Sequence, residues 1–205
     1  MGDTGIAGEK KKKIIVAVNT SLENSGGYIK DPKELLREHC ISEEAAREIE
    51  DFIARSIDWI RGHYRKAEVE LLYVLDEAVL HDLADRKLAE EAKNHACMDG
   101  GELLERVRRE YSSNGISITT KIRYGNPVEE VCSEARETRA YNVLVAARRD
   151  KTTRKAFLRR IVEDIMEKTP CPVVIITPKQ ERLSDRGRRR IKGTRKKLLS
   201  KGEAG

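Results

Sequence analysis

The chain has 205 residues, 39% of them hydrophobic and 37% charged, with a formal net charge of +6. That length suits one domain with appendages, and the composition fits neither a disordered chain nor one built from apolar membrane spans. The positive charge is concentrated: residues 178–205 hold eleven Lys/Arg against three Asp/Glu, so the rest of the chain is mildly acidic.

In chain order, residues 1–11 read as a disordered N-terminus. Lys10-Lys11-Lys12-Lys13 then leads into Ile14–Val18, an apolar run too short for a secretory signal core or a membrane span. A cytoplasmic protein is expected. Residues 22–41, with Gly26-Gly27 and Asp31-Pro32, form an extra segment between this first strand and its helix. Ser42-Glu43-Glu44-Ala45 is close to a capping box, and Ala45, Ala46, Ile49, Phe52, Ile53, Ile57, Ile60 and Tyr64 keep helical spacing. Val69–Leu75 is the second strand.

Residues 78 to 100 are charged and Ala-rich and read as a helix broken at Gly100-Gly101, before a further one carrying Leu103, Leu104, Val107 and Tyr111. Asn114-Gly115 turns into Ile116–Ile122, which alternates and reads as an edge strand. Asn126-Pro127 opens a helix with the stripe Val128, Val131, Cys132 and Ala135. Asn142–Ala147 is the fourth strand, and Phe157, Leu158, Ile161, Val162, Ile165 and Met166 mark the last helix. Thr169-Pro170-Cys171-Pro172 stops that helix, and Val173–Thr177 is the fifth strand.

Four of the five runs are nearly continuous Val/Ile/Leu/Ala, as strands covered on both faces are. Strands alternating with helices imply right-handed βαβ units and a parallel sheet, an α/β fold. Ligands in such sheets bind beyond the strand carboxyl ends, where strand order reverses. If the first and fourth strands are neighbours there, Asn19-Thr20-Ser21 and Ala147-Arg148-Arg149-Asp150 line the crevice. Helix N-termini aimed at it offer free N–H groups suited to phosphate.

The residues resemble a family. Ile14-Ile15-Val16-Ala17-Val18-Asn19-Thr20-Ser21 is similar to the opening strand of the universal stress proteins, and Tyr124-Gly125-Asn126-Pro127 to their G-[DN]-P turn. Asn142-Val143-Leu144-Val145 and Thr169-Pro170-Cys171-Pro172-Val173-Val174-Ile175-Ile176 resemble their closing DLIVMG…PCPVLVV portion. The resemblance covers residues 12–178, with 22–41 as an insertion. It implies an open, doubly wound five-stranded parallel sheet of order 3-2-1-4-5 with helices on both faces, adenine nucleotide alpha-hydrolase-like. It also implies a homodimer. The terminal strand Val173, Val174, Ile175 and Ile176 is otherwise an exposed apolar edge, which proteins cover or pair.

ATP-binding members carry G-x2-G-x9-G-[ST] after the fourth strand and an Asp ending the first. The resemblance places the equivalent nucleotide- or anion-binding positions at Ala17, Asn19, Val74, Ala147, Arg148, Arg149, Asp150, Arg159, Arg160 and Ile161. Ala147 and Asp150 stand where the first two glycines would be, Arg159-Arg160 or Arg160-Ile161 where the last pair would be, and Asn19 where the Asp would be. Glycine lets main-chain N–H groups wrap a polyphosphate, and Asp150 adds negative charge beside a negative ligand. Against this stand Arg148, Arg149, Lys151, Arg154, Lys155, Arg159 and Arg160, which can grip phosphate through their side chains. Three readings stay open: a solvated charged segment, an altered anion site, and a family-type site for ATP or AMP. The residues themselves call for no cofactor.

The stretch Arg186–Lys197 suits nucleic acid or another polyanion, but has no aromatic residue to stack on bases. A disordered basic tail over 179–205 is the alternative. Cys40, Cys97, Cys132 and Cys171 show no CxxC spacing, and His39-Cys40 and His95-Ala96-Cys97 lack metal-ligand spacing, so no metal is expected. No catalysis is expected either. Ser21 has no histidine base and no nucleophile elbow, His81 has no partner in sequence, and Asp150, Glu163 and Asp164 read as surface carboxylates. Trp59 reads as core or dimer packing.

Overall fold

A computed structural model describes residues 11–19, 41, 43–77, 85–112, 116–146 and 154–177. The strands are β1 (Lys12–Asn19), β2 (Ala67–Asp76), β3 (Ile116–Gly125), β4 (Asn142–Ala146) and β5 (Val173–Ile176). The helices are α1 (Glu43–His63), α2 (Arg86–Tyr111), α3 (Pro127–Glu137) and α4 (Arg154–Lys168). All strand pairs are parallel, in the order β3-β2-β1-β4-β5. This is the expected doubly wound sheet, and β3 is indeed an edge.

The two-residue period of each strand sorts the core into two layers. Ile14, Val16, Val18, Val69, Leu71, Tyr73, Leu75, Leu144 and Ile176 face the layer containing Ile49, Phe52, Ile53, Ile57 and Ile60 of α1 and Leu103, Leu104 and Val107 of α2. Ile41, the last residue of the expected insertion, is buried in this layer. Ile15, Ala17, Leu72, Val74, Val143 and Val145 face Val128, Val131, Cys132 and Ala135 of α3 and Ile165 of α4. Full burial of each such side chain contributes about 1.5–3 kcal/mol, so strand and helix periodicities reinforce one another. Met166, assigned to the buried stripe of α4, is instead 51% exposed.

One expectation is corrected. Gly100-Gly101 does not break a helix; α2 runs unbroken through it. These glycines let the helix approach the sheet, because a β-carbon on Gly100 would meet the Tyr73 ring and one on Gly101 would meet Ile122 Cδ1 at 3.3 Å. Of the helical stretch expected from residue 78, residues 78–84 lie outside the described residues. Asp85 caps α2, its Oδ1 accepting from the backbone N–H groups of Lys87 (2.9 Å) and Leu88 (3.4 Å).

Candidate functional site

Strand order reverses between β1 and β4, the point at which the crevice is expected from topology. Ala17 pairs with Leu72 on one side and Val145 on the other, and Asn19 pairs with Val74. The structure thus brings Ala17, Asn19 and Val74 together on adjacent strands. Ala17 and Val74 are buried against the α3 and α4 layer. Arg160 is exposed and Ile161 half-buried on α4. Ala147, Arg148, Arg149 and Asp150 lie outside the described residues, as do Thr20, Ser21, His39, Cys40 and His81; Arg159 is described as helix only, without its side chain. The N-terminus 1–10, the insertion 22–40, Ser42 and the tail 178–205 are also outside them.

The neighbouring rim is self-satisfied and acidic. β3 ends on Gly125, whose φ of 150° lies in a region that favours glycine, and a β-carbon there would come within 2.8 Å of Glu130 Oε1. The chain then enters α3 through Asn126. Its Oδ1 accepts from the N–H groups of Val128 (3.0 Å) and Glu129 (3.3 Å), and Pro127 follows as the first helical residue. Glu129 and Glu130 fill the first turn. The amides that could greet an anion are therefore occupied, and two carboxylates stand beside them. Asp76, a further buried carboxylate, closes β2 opposite Gly125. Sequence reasoning passed over Asp76; the only signal was an acid ending an apolar run.

Away from the crevice, beneath the same helix, lies a buried ion cluster. Glu134 is fully buried on α3 and accepts from Arg123 Nε at 2.6 Å and from Lys121 at 2.5 Å. Arg123 also reaches Glu130 (3.1 Å) and Glu137. Across the sheet face, Lys13 pairs with Glu70 at 3.0 Å and Glu68 at 3.5 Å. Glu70 Oε1 and Glu134 Oε1 are buried without a hydrogen-bond partner, and the two carboxyls perturb each other's ionisation. Burial, reinforced by Glu134 but opposed by Lys13, raises the pKa of Glu70. Burial also opposes ionisation of Glu134, but Lys121 and Arg123 outweigh it and hold that carboxyl below the usual range. The cluster ties α3 to β2 and β3.

The remaining sequence candidates are structural. Cys132 is buried with its Sγ 3.3 Å from Thr169 Oγ1, and burial raises the pKa of the Cys171 and Cys97 thiols. Among the described residues no group of His, Cys, Asp and Glu could hold a metal, and no helix is long and apolar enough to cross a membrane. On the far edge of the sheet, Val173 and Val174 are half-buried and Ile175 is 41% exposed. Arg55 of α1 anchors this edge, donating to the Thr177 carbonyl at 2.6 Å.

A family model described as the universal stress protein family matches residues 42–177. Among solved structures, the chain is similar to the hypothetical protein MJ0577, with 18% identity, a TM-score of 0.57, and coverage of 83% of this chain and 98% of that one. It is similar to universal stress protein UspA from Lactobacillus plantarum, with 18% identity, a TM-score of 0.52, and coverage of 82% and 99%. A third similar structure, the hypothetical protein PH0823, has 26% identity, a TM-score of 0.52, and coverage of 83% and 98%. None of the curated proteins matches the sequence significantly.

Proposed function

The chain belongs to the universal stress protein family, and from that membership we propose that it is a non-catalytic stress or regulatory protein. It acts as a homodimer whose β1/β4 crevice has lost or altered its nucleotide binding.

The observation that carries this reading is the set of residues that follows β4. In sequence, Ala147 and Asp150 replace the glycines that would let main-chain amides wrap a triphosphate. At the same carboxyl end of the sheet, two strands from β1, the α3 N-terminus is capped by Asn126 and bears Glu129 and Glu130, with Asp76 at the end of β2. The dimer is supported by the apolar β5 edge with its exposed Ile175.

Small molecules extracted from the purified chain, followed by calorimetric titration of ATP and AMP, test the crevice. The proposal expects no copurified ATP and no saturable ATP binding at micromolar concentrations; tightly bound ATP that survives high salt refutes it. The alternative reading, a cationic protein gripping a polyanion through residues 148–160 and the basic tail, rests mostly on residues outside those described.

A further inference from the structure

The other end of the sheet presents a surface of different character. Three segments meet there: Lys11–Lys13 entering β1, His63–Lys66 leaving α1, and Arg139–Tyr141 leading into β4. The register Lys12 to Ala67 and Ile14 to Asn142 holds them side by side, and the Tyr141 N–H donates to the Lys13 carbonyl at 2.7 Å. β1 separates this end from the β1/β4 crevice by about 20 Å, at the usual rise per strand residue.

Four rings form a connected row. His63 stacks on Trp59 with centroids 4.1 Å apart and planes 22° apart. Tyr64 lies 6.5 Å from His63 and 6.0 Å from both Trp59 and Tyr141. The row is pinned from beneath, since Tyr64 OH donates to Asn142 Oδ1 at 2.8 Å and His63 Nδ1 sits 2.7 Å from the Trp59 carbonyl. Its outer members face solvent: His63 is exposed, and Tyr141 is 48% exposed. An aromatic row held rigid underneath and open above is unusual in a chain with only 4% aromatic residues.

Cations surround the row. Lys12 Nζ lies 4.1 Å above the Tyr141 ring. Lys11, Arg65 and Lys66 are exposed, and Arg139 is held out by a left-handed turn (φ 52°) after α3. Lys11, Lys12, Arg65, Lys66 and Arg139 make no ion pair among the described residues, whereas the nearby Glu68 is already engaged by Lys13. Stacking faces flanked by uncompensated cations match a polymer that has flat bases and a phosphate backbone. A duplex buries its base faces, and a folded protein partner would favour a less charged centre.

We propose that this end of the sheet binds single-stranded nucleic acid, with bases stacking on Tyr141 and His63 and the backbone lying along Lys11, Lys12, Arg65, Lys66 and Arg139. A base displaces the Lys12 ammonium from the Tyr141 face, freeing it for the neighbouring phosphate. The proposal is independent of the reading of the β1/β4 crevice and of the basic tail.

Trp59 is the sole tryptophan, so its fluorescence reports on this surface alone. The full chain is titrated with a twelve-nucleotide oligouridylate, a duplex of equal length and inorganic polyphosphate. Expected are Trp59 quenching by the single strand only, about tenfold weaker binding for Tyr141→Ala, and near-parent binding for Tyr141→Phe. Polyphosphate in excess competes for the five cations and the basic tail alike, weakening single-strand binding without itself quenching Trp59. The proposal is overturned if the single strand does not quench, if polyphosphate or duplex quenches equally, or if Tyr141→Ala binds as the parent does. Tyr141 is half exposed, so its substitutions leave the core unchanged, and an unaltered circular dichroism spectrum verifies this.

Discussion

The ring of Tyr73 on β2 occupies the space beside Gly100 in which a β-carbon would sit: Cε1 lies 2.7 Å from that position, and Cδ1 and Cζ 2.9 Å. Tyr73 is fully buried, so the ring has nowhere to go. Gly100→Ala gains about 1 kcal/mol of helix propensity but forces overpacking that costs roughly 1–3 kcal/mol. A net loss of up to about 2 kcal/mol is expected, lowering the melting temperature by up to several degrees. Calorimetry of the variant checks this, and an unchanged or raised melting temperature would show that α2 does not need the close approach.

The same pair shows what the sequence conceals. Two adjacent glycines inside an Ala-rich stretch have the local signature of a break, and only the facing tyrosine, some 27 positions earlier in the chain, reveals a packing contact. The strands themselves, by contrast, were legible from continuous Val/Ile runs, because burial on both faces leaves a direct compositional trace, and their order came from the family resemblance. The ends of elements were legible where Asn126-Pro127 supplied a cap. The ring row was not: Trp59, His63 and Tyr64 share the end of α1, but Tyr141 lies 77 positions after Tyr64, and only tertiary packing brings it to them. Trp59 read as packing from sequence, and its half-buried stack on His63 shows that it is also part of a surface.

The buried carboxyl pair predicts a pH signature. Glu134 has a lowered folded-state pKa, so its contribution is full above the ordinary carboxylate value and fades as pH falls through the lower folded value. Glu70 has a raised one, so its ionisation subtracts stability as pH rises from the ordinary value through the raised value. Glu70→Gln removes the carboxyl whose pKa is raised, so the decline on the upper side should flatten, with stability at neutral pH within about 1 kcal/mol of the parent. Glu134→Gln removes the buried carboxylate that Lys121 and Arg123 share, leaving them the more exposed Glu130 and Glu137, and should cost about 1–3 kcal/mol at neutral pH. Urea unfolding of both variants across pH 4 to 8 distinguishes them, and equal losses in the two would contradict the assignment.

The β5 edge predicts an assembly phenotype. Ile175 is exposed in the single chain, and a lysine there would add charge to the edge without touching the core. Ile175→Lys should raise the dimer dissociation constant by about tenfold or more, equivalent to about 1.4 kcal/mol. Sedimentation equilibrium reads the shift directly. A variant that dimerises like the parent would place the interface elsewhere.

The loss of main-chain phosphate capture is tested most directly by putting the glycines back. Ala147→Gly with Asp150→Gly removes one β-carbon and one negative charge from the segment after β4. Both proteins are titrated with ATP by calorimetry at fixed ionic strength. The expected result is no saturable binding by the parent at micromolar ATP and a gain of about tenfold or more in affinity for the double variant. Micromolar binding by the parent, unchanged in the double variant, would contradict it.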